Sequence, residues 1–153
     1  MYDVLPKVVV DANIFIKIFA PEPDSQTARE FLSFCNQNDI AFIAPTLFEY
    51  EVIGVCVQKG VDLDKLLSSL NVYYKASLSL YKPTLDDWQL ATKICQDGNA
   101  KSGYPSMYDS IYQAMAINRN ITFVSADTRH IAKAKKHGNV CALADWRGIF
   151  KNF

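Results

Sequence analysis

The sequence has no excess of charge of either sign, because 16 lysines and arginines balance 16 aspartates and glutamates. A neutral chain lacks the broad positive field with which proteins hold duplex DNA by its backbone. Any contact with nucleic acid should therefore be local, or be supplied partly by a metal ion or a second subunit. The chain also has no uninterrupted apolar run of about 18 residues and no N-terminal stretch typical of a signal peptide. We therefore predict a cytoplasmic protein that does not enter a membrane.

Ligands for zinc are scarce. The chain has two histidines and four widely separated cysteines, with no Cys-x-x-Cys pair. A zinc site is not expected, and reduced thiols in apolar surroundings are the better interpretation. A Walker loop, a Gly-x-Gly-x-x-Gly motif and a Ser-His-Asp order are absent as well, so those rival chemistries have no support.

Half of the residues are hydrophobic and 21% are charged, as in a compact domain, and we assign residues 1–153 to a single one. Short apolar segments alternate with segments of helical spacing, which is typical of an α/β protein. Residues 8–10 and 121–124 have the pattern of strands buried on both faces, and residues 77–81 that of an edge strand. We predict a three-layer α/β/α sandwich with a central, mainly parallel sheet.

An acid follows each of the two buried strands. Asp11 comes directly after the first, and Asp127 lies three residues after the second. Ligand sites of open α/β sheets lie beyond the carboxyl ends of the strands, so these carboxylates should meet at one edge of the sheet. The alternative for Asp11 is a helix N-cap, a common role for aspartate.

Two further acids lie near the starts of predicted helices. Thr46-x-x-Glu49 has the pattern of a capping box, which gives Glu49 a structural role and leaves Glu51, in an apolar setting, without a local explanation. Ser106-x-x-Asp109 has the same pattern. Asp109 is therefore either a capping residue or a site residue, and this helix alone leaves both open.

Carboxylates brought to one place raise each other's pKa, and a hard divalent cation removes that cost. Oxygen ligands suit Mg²⁺ or Mn²⁺, and Mg²⁺ commonly keeps several waters while binding one or two carboxylates and substrate phosphate oxygens. Such a site acts on phosphodiesters by polarising the phosphoryl oxygen and activating water. The four candidate ligands are Asp11, Glu51, Asp109 and Asp127.

Four blocks of the sequence resemble the PIN-domain nucleases, and among them the small VapC-type toxins of prokaryotic toxin–antitoxin pairs. They are VVVDANIF, APTLFEYEVIGV, YPSMYDSIYQAMA and ITFVSADTRHIAKA, which together span nearly the whole chain. The resemblance implies a metal-dependent endoribonuclease in which the same four acids bind Mg²⁺ or Mn²⁺. It also implies supporting roles for Asn13 and Ser125, and it matches Glu51 rather than Glu49 to the family's Tyr-Glu-Val.

The resemblance to VapC-type toxins further implies a homodimer that a cognate antitoxin inhibits. The predicted helices at residues 14–19 and 48–57 carry more apolar residues than one buried face requires. This excess favours burial against a second copy, with closer packing inside one chain as the alternative.

The sequence departs from the family after Asp127, where some relatives carry a further acid and this chain has Thr128, Arg129 and His130. The basic run from Arg129 to His137 is either an RNA-phosphate contact, with Arg129 and Lys133 as the candidates, or an ordinary solvated helix face.

Two other functions compete with the ribonuclease. A phosphatase of the haloacid-dehalogenase kind also begins with an aspartate at a strand end, but it needs a second acid where this chain has Asn13. A scaffold that keeps the fold and binds RNA or protein without strong catalysis is the other alternative.

Overall fold

The computed structural model describes residues 6–151, which fold around a parallel sheet. Its strands are β1 (Lys7–Val10), β2 (Ala41–Pro45), β3 (Leu78–Tyr81), β4 (Thr122–Ser125) and β5 (Val140–Ala142). They are ordered β3-β2-β1-β4-β5, and each neighbouring pair in this order is parallel. The predicted central parallel sheet is therefore confirmed.

Helices connect the strands and flank the sheet, completing the predicted α/β/α sandwich. They are α1 (Ala12–Phe19), α2 (Ser25–Gln37), α3 (Leu47–Gln58), α4 (Leu63–Ala76), α5 (Leu85–Gln96), α6 (Met107–Asn118) and α7 (Thr128–Ala134). Two 3₁₀ segments follow α7, at Lys135–His137 and Leu143–Phe150. Within residues 6–151 no helix is long and apolar enough to cross a membrane.

Strand β1 lies at the centre of the sheet, between β2 and β4. Val8, Val9 and Val10 are at most 1% exposed, as their uninterrupted apolar run predicts for a strand covered on both faces. Strand β3 is an edge strand, also as predicted, and Tyr81 at its end is 42% exposed. The central position of β1 places Asp11 in the middle of the carboxyl edge.

Helix α1 is covered by its own chain. Phe15 is fully buried and makes edge-to-face contacts with Phe42, Phe48 and Tyr73, with ring centroids 6.0, 5.2 and 4.9 Å away. Ile16 is 7% exposed. Packing inside one chain therefore explains the apolar excess of this helix, which lends no support to a second copy.

One predicted cap is wrong. Thr46 has φ −55° and ψ −25°, which is already helical, and its side chain makes no capping hydrogen bond to α3. An N-cap residue needs an extended backbone, so the box with Glu49 does not form. Glu49 instead accepts a hydrogen bond from the Tyr74 hydroxyl at 2.7 Å. A complete capping box lies at the start of α5, between Thr84 and Asp87.

Candidate active site

Asp11 lies at the carboxyl end of β1 and is 3% exposed. Its side chain accepts hydrogen bonds from the Ser125 hydroxyl at 2.6 Å and from the backbone N–H of Asn13 at 3.4 Å. Burial raises the pKa of Asp11 to about 7, although the Ser125 bond lowers it, and the charges of Asp109 and Glu51 raise it further. Asp11 is thus the N-cap of α1 and, at the same time, a buried carboxylate beside other acids.

Ser125 and Asn13 tie together the ends of β1 and β4. Besides donating to Asp11, the Ser125 hydroxyl oxygen accepts from the backbone N–H of Asp127 at 2.9 Å and from the Asn13 amide at 3.4 Å. Asn13 Oδ1 accepts from the backbone N–H of Ala126 at 3.3 Å. The structure therefore brings both predicted supporting residues against Asp11.

Asp127 is the N-cap of α7. Its Oδ1 accepts from the backbone N–H groups of Arg129 at 3.0 Å and His130 at 3.1 Å. These bonds use one carboxylate oxygen and fix the side chain at the start of a helix that follows β4, next to the β1 end.

Glu51 is half-buried in α3, where its Oε1 accepts a hydrogen bond from the Tyr112 hydroxyl at 2.8 Å. Burial raises the pKa of Glu51, the Tyr112 bond lowers it, and the charge of Asp109 raises it. Tyr112 is fully buried in α6, so it can hold the Glu51 carboxylate in one orientation. The structure thus links α3 to α6 through a site residue.

Asp109 lies in the first turn of α6, which Ser106 caps by accepting its backbone N–H at 3.1 Å. The Asp109 carboxylate accepts from the Ser106 hydroxyl at 3.1 Å, and not from the Ser106 backbone as a capping box requires. Burial raises the pKa of Asp109, and Asp127 raises it both as a like charge and as a hydrogen-bond partner, whereas Ser106 and Lys133 lower it. Asp109 is therefore more than a capping residue.

The four predicted acids form one interacting group, which we call the acidic cluster: Asp11, Glu51, Asp109 and Asp127. Asp109 raises the pKa of Asp11 and of Glu51, and Asp127 raises that of Asp109. The cluster joins the carboxyl ends of β1 and β4 to α3 and to the first turn of α6. This is the convergence that the positions of the acids in the sequence predict.

The acidic cluster fits a hard divalent cation in its chemistry. Its donors are all oxygen atoms, and a cation would offset the repulsion between the carboxylates. Among residues 6–151, however, no group of three or more His, Cys, Asp or Glu side chains is arranged to hold a metal ion as it stands. Mg²⁺ commonly takes one or two carboxylates and keeps several waters, so it does not require three of them to converge.

A basic groove of ≈ 730 Å³ lies between the loop at residues 97–103 and α7. We call it the basic groove because four cationic side chains line it: Arg129, Lys133, Lys135 and Lys136. The groove adjoins the acidic cluster, because Arg129 is bonded through its backbone to Asp127 and the charge of Lys133 lowers the pKa of Asp109. The two residues predicted to contact RNA, Arg129 and Lys133, both line this groove.

The basic run is not cationic throughout. His130 is 3% exposed, and burial lowers its pKa to about 4, so it is neutral at pH 7 and is not available to a phosphate group. His130 therefore belongs to neither a phosphate contact nor a solvated helix face. Its Nε2 lies 2.8 Å from Oε1 of Gln113, a fully buried residue of α6.

Sequence reasoning missed Tyr112 and Gln113. Both lie one turn beyond Asp109 on a helix that is buried over most of its surface. The available signal was Gln113 itself, a polar residue in the apolar stretch 111–117, since a buried amide must find partners.

A sequence model of the PIN domain matches residues 8–136. The chain belongs to the PIN-domain family. Membership removes the haloacid-dehalogenase alternative and agrees with the family that the four sequence blocks resemble. Comparison with curated proteins gives no significant match.

This PIN domain is similar to three solved structures at low sequence identity. VapBC2 from Rickettsia felis, bound to a DNA fragment from its promoter, matches at 17% identity and a TM-score of 0.64, over 89% of this chain and 96% of that chain. FitAB bound to the IR36 DNA fragment matches at 16% identity and a TM-score of 0.66, over 91% of this chain and 95% of that chain. FitAcB from Neisseria gonorrhoeae matches at 16% identity and a TM-score of 0.62, over 88% of this chain and 95% of that chain. Such likeness shows that the fold is shared.

Proposed function

We propose that this PIN domain is a divalent-metal-dependent endoribonuclease that hydrolyses RNA phosphodiester bonds and is the toxin of a toxin–antitoxin pair. The observation that carries the proposal is the acidic cluster, four carboxylates gathered beyond the carboxyl edge of the sheet, in which neighbouring acids raise the pKa values of Asp11, Glu51 and Asp109. Purely structural acids have no reason to be assembled in this way, because their mutual repulsion destabilises the fold.

The acids of the cluster would hold Mg²⁺ or Mn²⁺. A bound ion supplies a Lewis acid that polarises the phosphoryl oxygen and lowers the pKa of water. The chain contributes preorganisation: Ser125 orients Asp11, Tyr112 orients Glu51, and the first turn of α7 orients Asp127. Groups held in place before substrate arrives do not have to be ordered during the reaction.

Arg129 and Lys133 would attract the phosphates of the RNA backbone on one side of the scissile bond. They line the basic groove and stand beside Asp127 and Asp109. Local positive charge of this kind suits a chain whose net charge is zero, since phosphate contacts are the main source of affinity for a polynucleotide.

The proposed partners are a cognate antitoxin and a second copy of this chain, and the proposed location is the cytoplasm. The antitoxin is supported by the similarity to VapBC2 and FitAB, which are toxin–antitoxin proteins. The cytoplasm is supported by the four cysteines, which are free thiols. A homodimer is supported by the VapC-type resemblance and by exposed apolar side chains on α3 and α4.

Cleavage of single-stranded RNA by the wild type and by Asp11→Asn, with Mn²⁺ and with EDTA, tests the proposal. The wild type should cleave only with metal, and Asp11→Asn should lose cleavage. The matched control is Asp62→Asn, because Asp62 is also an N-cap, accepting the Lys65 N–H at 3.1 Å, but it lies at the start of α4. Asparagine caps helices as well as aspartate does, so the control should keep its activity.

Three results would count against the ribonuclease. Equal activity of the wild type and Asp11→Asn would show that the cleavage does not depend on the acidic cluster. RNA binding without cleavage in either metal would favour the scaffold, and release of phosphate from a monoester without RNA cleavage would favour a phosphatase.

A further inference from the structure

Gln113 is a fully buried amide with every side-chain group in use. Its Nε2 donates to the backbone carbonyls of Ala134, at 2.9 Å, and of Gly138, at 3.0 Å. Both amide hydrogens are therefore committed to acceptors, which fixes Oε1 as the acceptor facing His130 at 2.8 Å. The side chain of Gln113 thus forms hydrogen bonds with His130 in the first turn of α7, with Ala134 at its last residue, and with Gly138 after the 3₁₀ turn that follows.

This orientation determines the tautomer of His130. Because Oε1 of Gln113 cannot donate, Nε2 of His130 must carry the hydrogen, and Nδ1 is left with a lone pair. Nδ1 is buried and has no hydrogen-bond partner within residues 6–151. Within the described residues, the bond to Gln113 is therefore the hydrogen bond that satisfies the buried imidazole of His130.

The pair lies one helical turn behind two acids. Gln113 follows Asp109 by four residues on α6, so these two share a helix face. His130 is the third residue of α7, whose N-cap is Asp127. The backbone N–H of His130 also donates to Asp127 at 3.1 Å. The Gln113–His130 hydrogen bond therefore bridges the same two helices as the Asp109–Asp127 contact.

The bridge opposes a force that would separate the acids. Asp109 and Asp127 repel each other when both are ionised. Helix α7 has only seven residues, too few to be stable alone, so its position depends on contacts such as those of His130 and Ala134, its buried residues. Without the bridge, the start of α7 could relax away from α6.

We propose that Gln113 and His130 are positioning residues that set the separation of Asp109 and Asp127 and so the affinity of the acidic cluster for a divalent cation. The inference rests on the proposed function, because it takes the acids to be metal ligands. Residues that orient ligands without touching the metal commonly contribute about tenfold to a hundredfold in affinity or activity.

The test compares His130→Phe, which keeps a ring but lacks the donor, with His130→Gln, whose Nε2 can donate to Gln113. The control Asn118→Ala lies at the far end of the same α6, where it breaks a 2.9 Å bond to Asp87. Calorimetric titration with Mn²⁺, well below the melting temperature, should show affinity about tenfold weaker or more for His130→Phe. His130→Gln should be near wild type, and Asn118→Ala should bind normally despite a lower melting temperature.

Unchanged Mn²⁺ affinity in folded His130→Phe would overturn the positioning role and leave the ribonuclease standing, provided that Asp11→Asn loses binding. A wild type that binds no Mn²⁺ would overturn both. If His130→Phe does not fold, ¹⁵N NMR of the wild type decides. The Nε2–H tautomer, with imidazole resonances that shift on adding Mg²⁺, supports the proposal, whereas the Nδ1–H tautomer or resonances indifferent to saturating Mg²⁺ overturn it.

Discussion

At the residue scale, the acids of the acidic cluster combine two roles that are usually considered separately. Asp11 caps α1 and Asp127 caps α7, while both lie among other carboxylates. Oδ1 of Asp127 accepts the backbone N–H groups of its helix, whereas in Asp11 Oδ1 accepts from Asn13 and Oδ2 from Ser125. Each carboxylate oxygen has two lone pairs, so these bonds leave acceptor positions on both side chains. Capping therefore orients these carboxylates without excluding a ligand from them.

Glu51 and Glu49, two acids of α3, should differ sharply when changed to glutamine. Glu51→Gln removes a charge from the acidic cluster and should reduce RNA cleavage by orders of magnitude. Glu49→Gln should retain cleavage, because glutamine can still accept the hydrogen bond that Glu49 receives from Tyr74 at 2.7 Å. Initial rates with saturating Mn²⁺ measure both, and similar losses from the two substitutions would contradict the assignment of Glu51.

The substitution Asp109→Asn should show whether Asp109 acts as a metal ligand or only as a helix-capping residue. The asparagine keeps an acceptor for Ser106 but removes a charge that repels Asp127. In EDTA its melting temperature should match or exceed that of the wild type, and Mn²⁺ should raise the melting temperature of the wild type only. A cap alone predicts the reverse, with stability lower by about 0.5–2 kcal/mol and cleavage retained.

The sequence could not choose between the capping and site interpretations of Asp109, because both use the same short acidic side chain at a helix start. What decided it was proximity to Asp127, a residue of another element. The tautomer and burial of His130 were equally out of reach, since the sequence shows six basic side chains from Arg129 to His137 and not which one turns inward.

At the element scale, the junction of α5 and α6 is held by Asp87, which is 1% exposed. Its carboxylate accepts from the Thr84 backbone at 2.9 Å, Asn118 at 2.9 Å and Arg119 at 3.2 Å. Burial opposes ionisation of Asp87, yet these bonds hold its pKa below the usual value. An ionised carboxylate therefore stabilises the fold at this junction.

Asp87→Asn should lower the free energy of unfolding at pH 7 by at least about 1.5–3 kcal/mol, the contribution of one hydrogen bond to a charged group. Since the folded pKa of Asp87 lies below the unfolded one, its contribution is present above about pH 4 and is lost as pH falls below that. The two proteins should therefore converge in acid. Urea melts against pH measure this, with exposed Asp86→Asn as the control, and a constant difference down to pH 3 would contradict the account.

The elements that the sequence predicted well are those whose pattern is set by burial on both sides. Strand β1 contains the uninterrupted valine run 8–10 at the sheet centre, and the bounds of β4 lie within one residue of those predicted. The failure at Thr46 has a local cause: the chain is already helical where the box needed an extended residue. The Thr46 backbone N–H donates to the Tyr81 carbonyl at 3.1 Å, a long-range contact that the local pattern of residue types does not show.

At the scale of the whole molecule, the net charge of zero is the sum of an acidic region and a basic region. The acidic cluster and the basic groove adjoin each other, so the zero net charge conceals a strongly polar site. The carboxylates of the acidic cluster suit an arginine or lysine of the proposed antitoxin, which would compete with Mg²⁺ for the same oxygens.

Rising Mg²⁺ or Mn²⁺ should therefore weaken inhibition by the antitoxin. RNA cleavage at a fixed antitoxin concentration, measured over a metal series at constant ionic strength, tests this. Inhibition that does not depend on metal would show that the antitoxin covers the basic groove or another part of the RNA path.

Self-association should involve the exposed apolar side chains where α3 meets α4. Val57, in the last turn of α3, is 46% exposed, and Leu63 and Leu67, one turn apart on α4, are 46% and 43% exposed. Burial on a partner stabilises by about 25 cal/mol for each Å² of apolar surface removed from water, so this patch is a favourable place for a second copy. Light scattering at micromolar concentration should give the mass of a dimer for the wild type.

Leu67→Glu should shift that mass toward the monomer with little loss of stability, because the side chain is already partly exposed in one chain. The matched control is Leu85→Glu, which places the same charge at a 72% exposed leucine on α5 and should leave the mass unchanged. A wild-type monomer at this concentration would refute the dimer itself. Dissociation by Leu85→Glu, with Leu67→Glu still dimeric, would instead move the interface from α4 to α5.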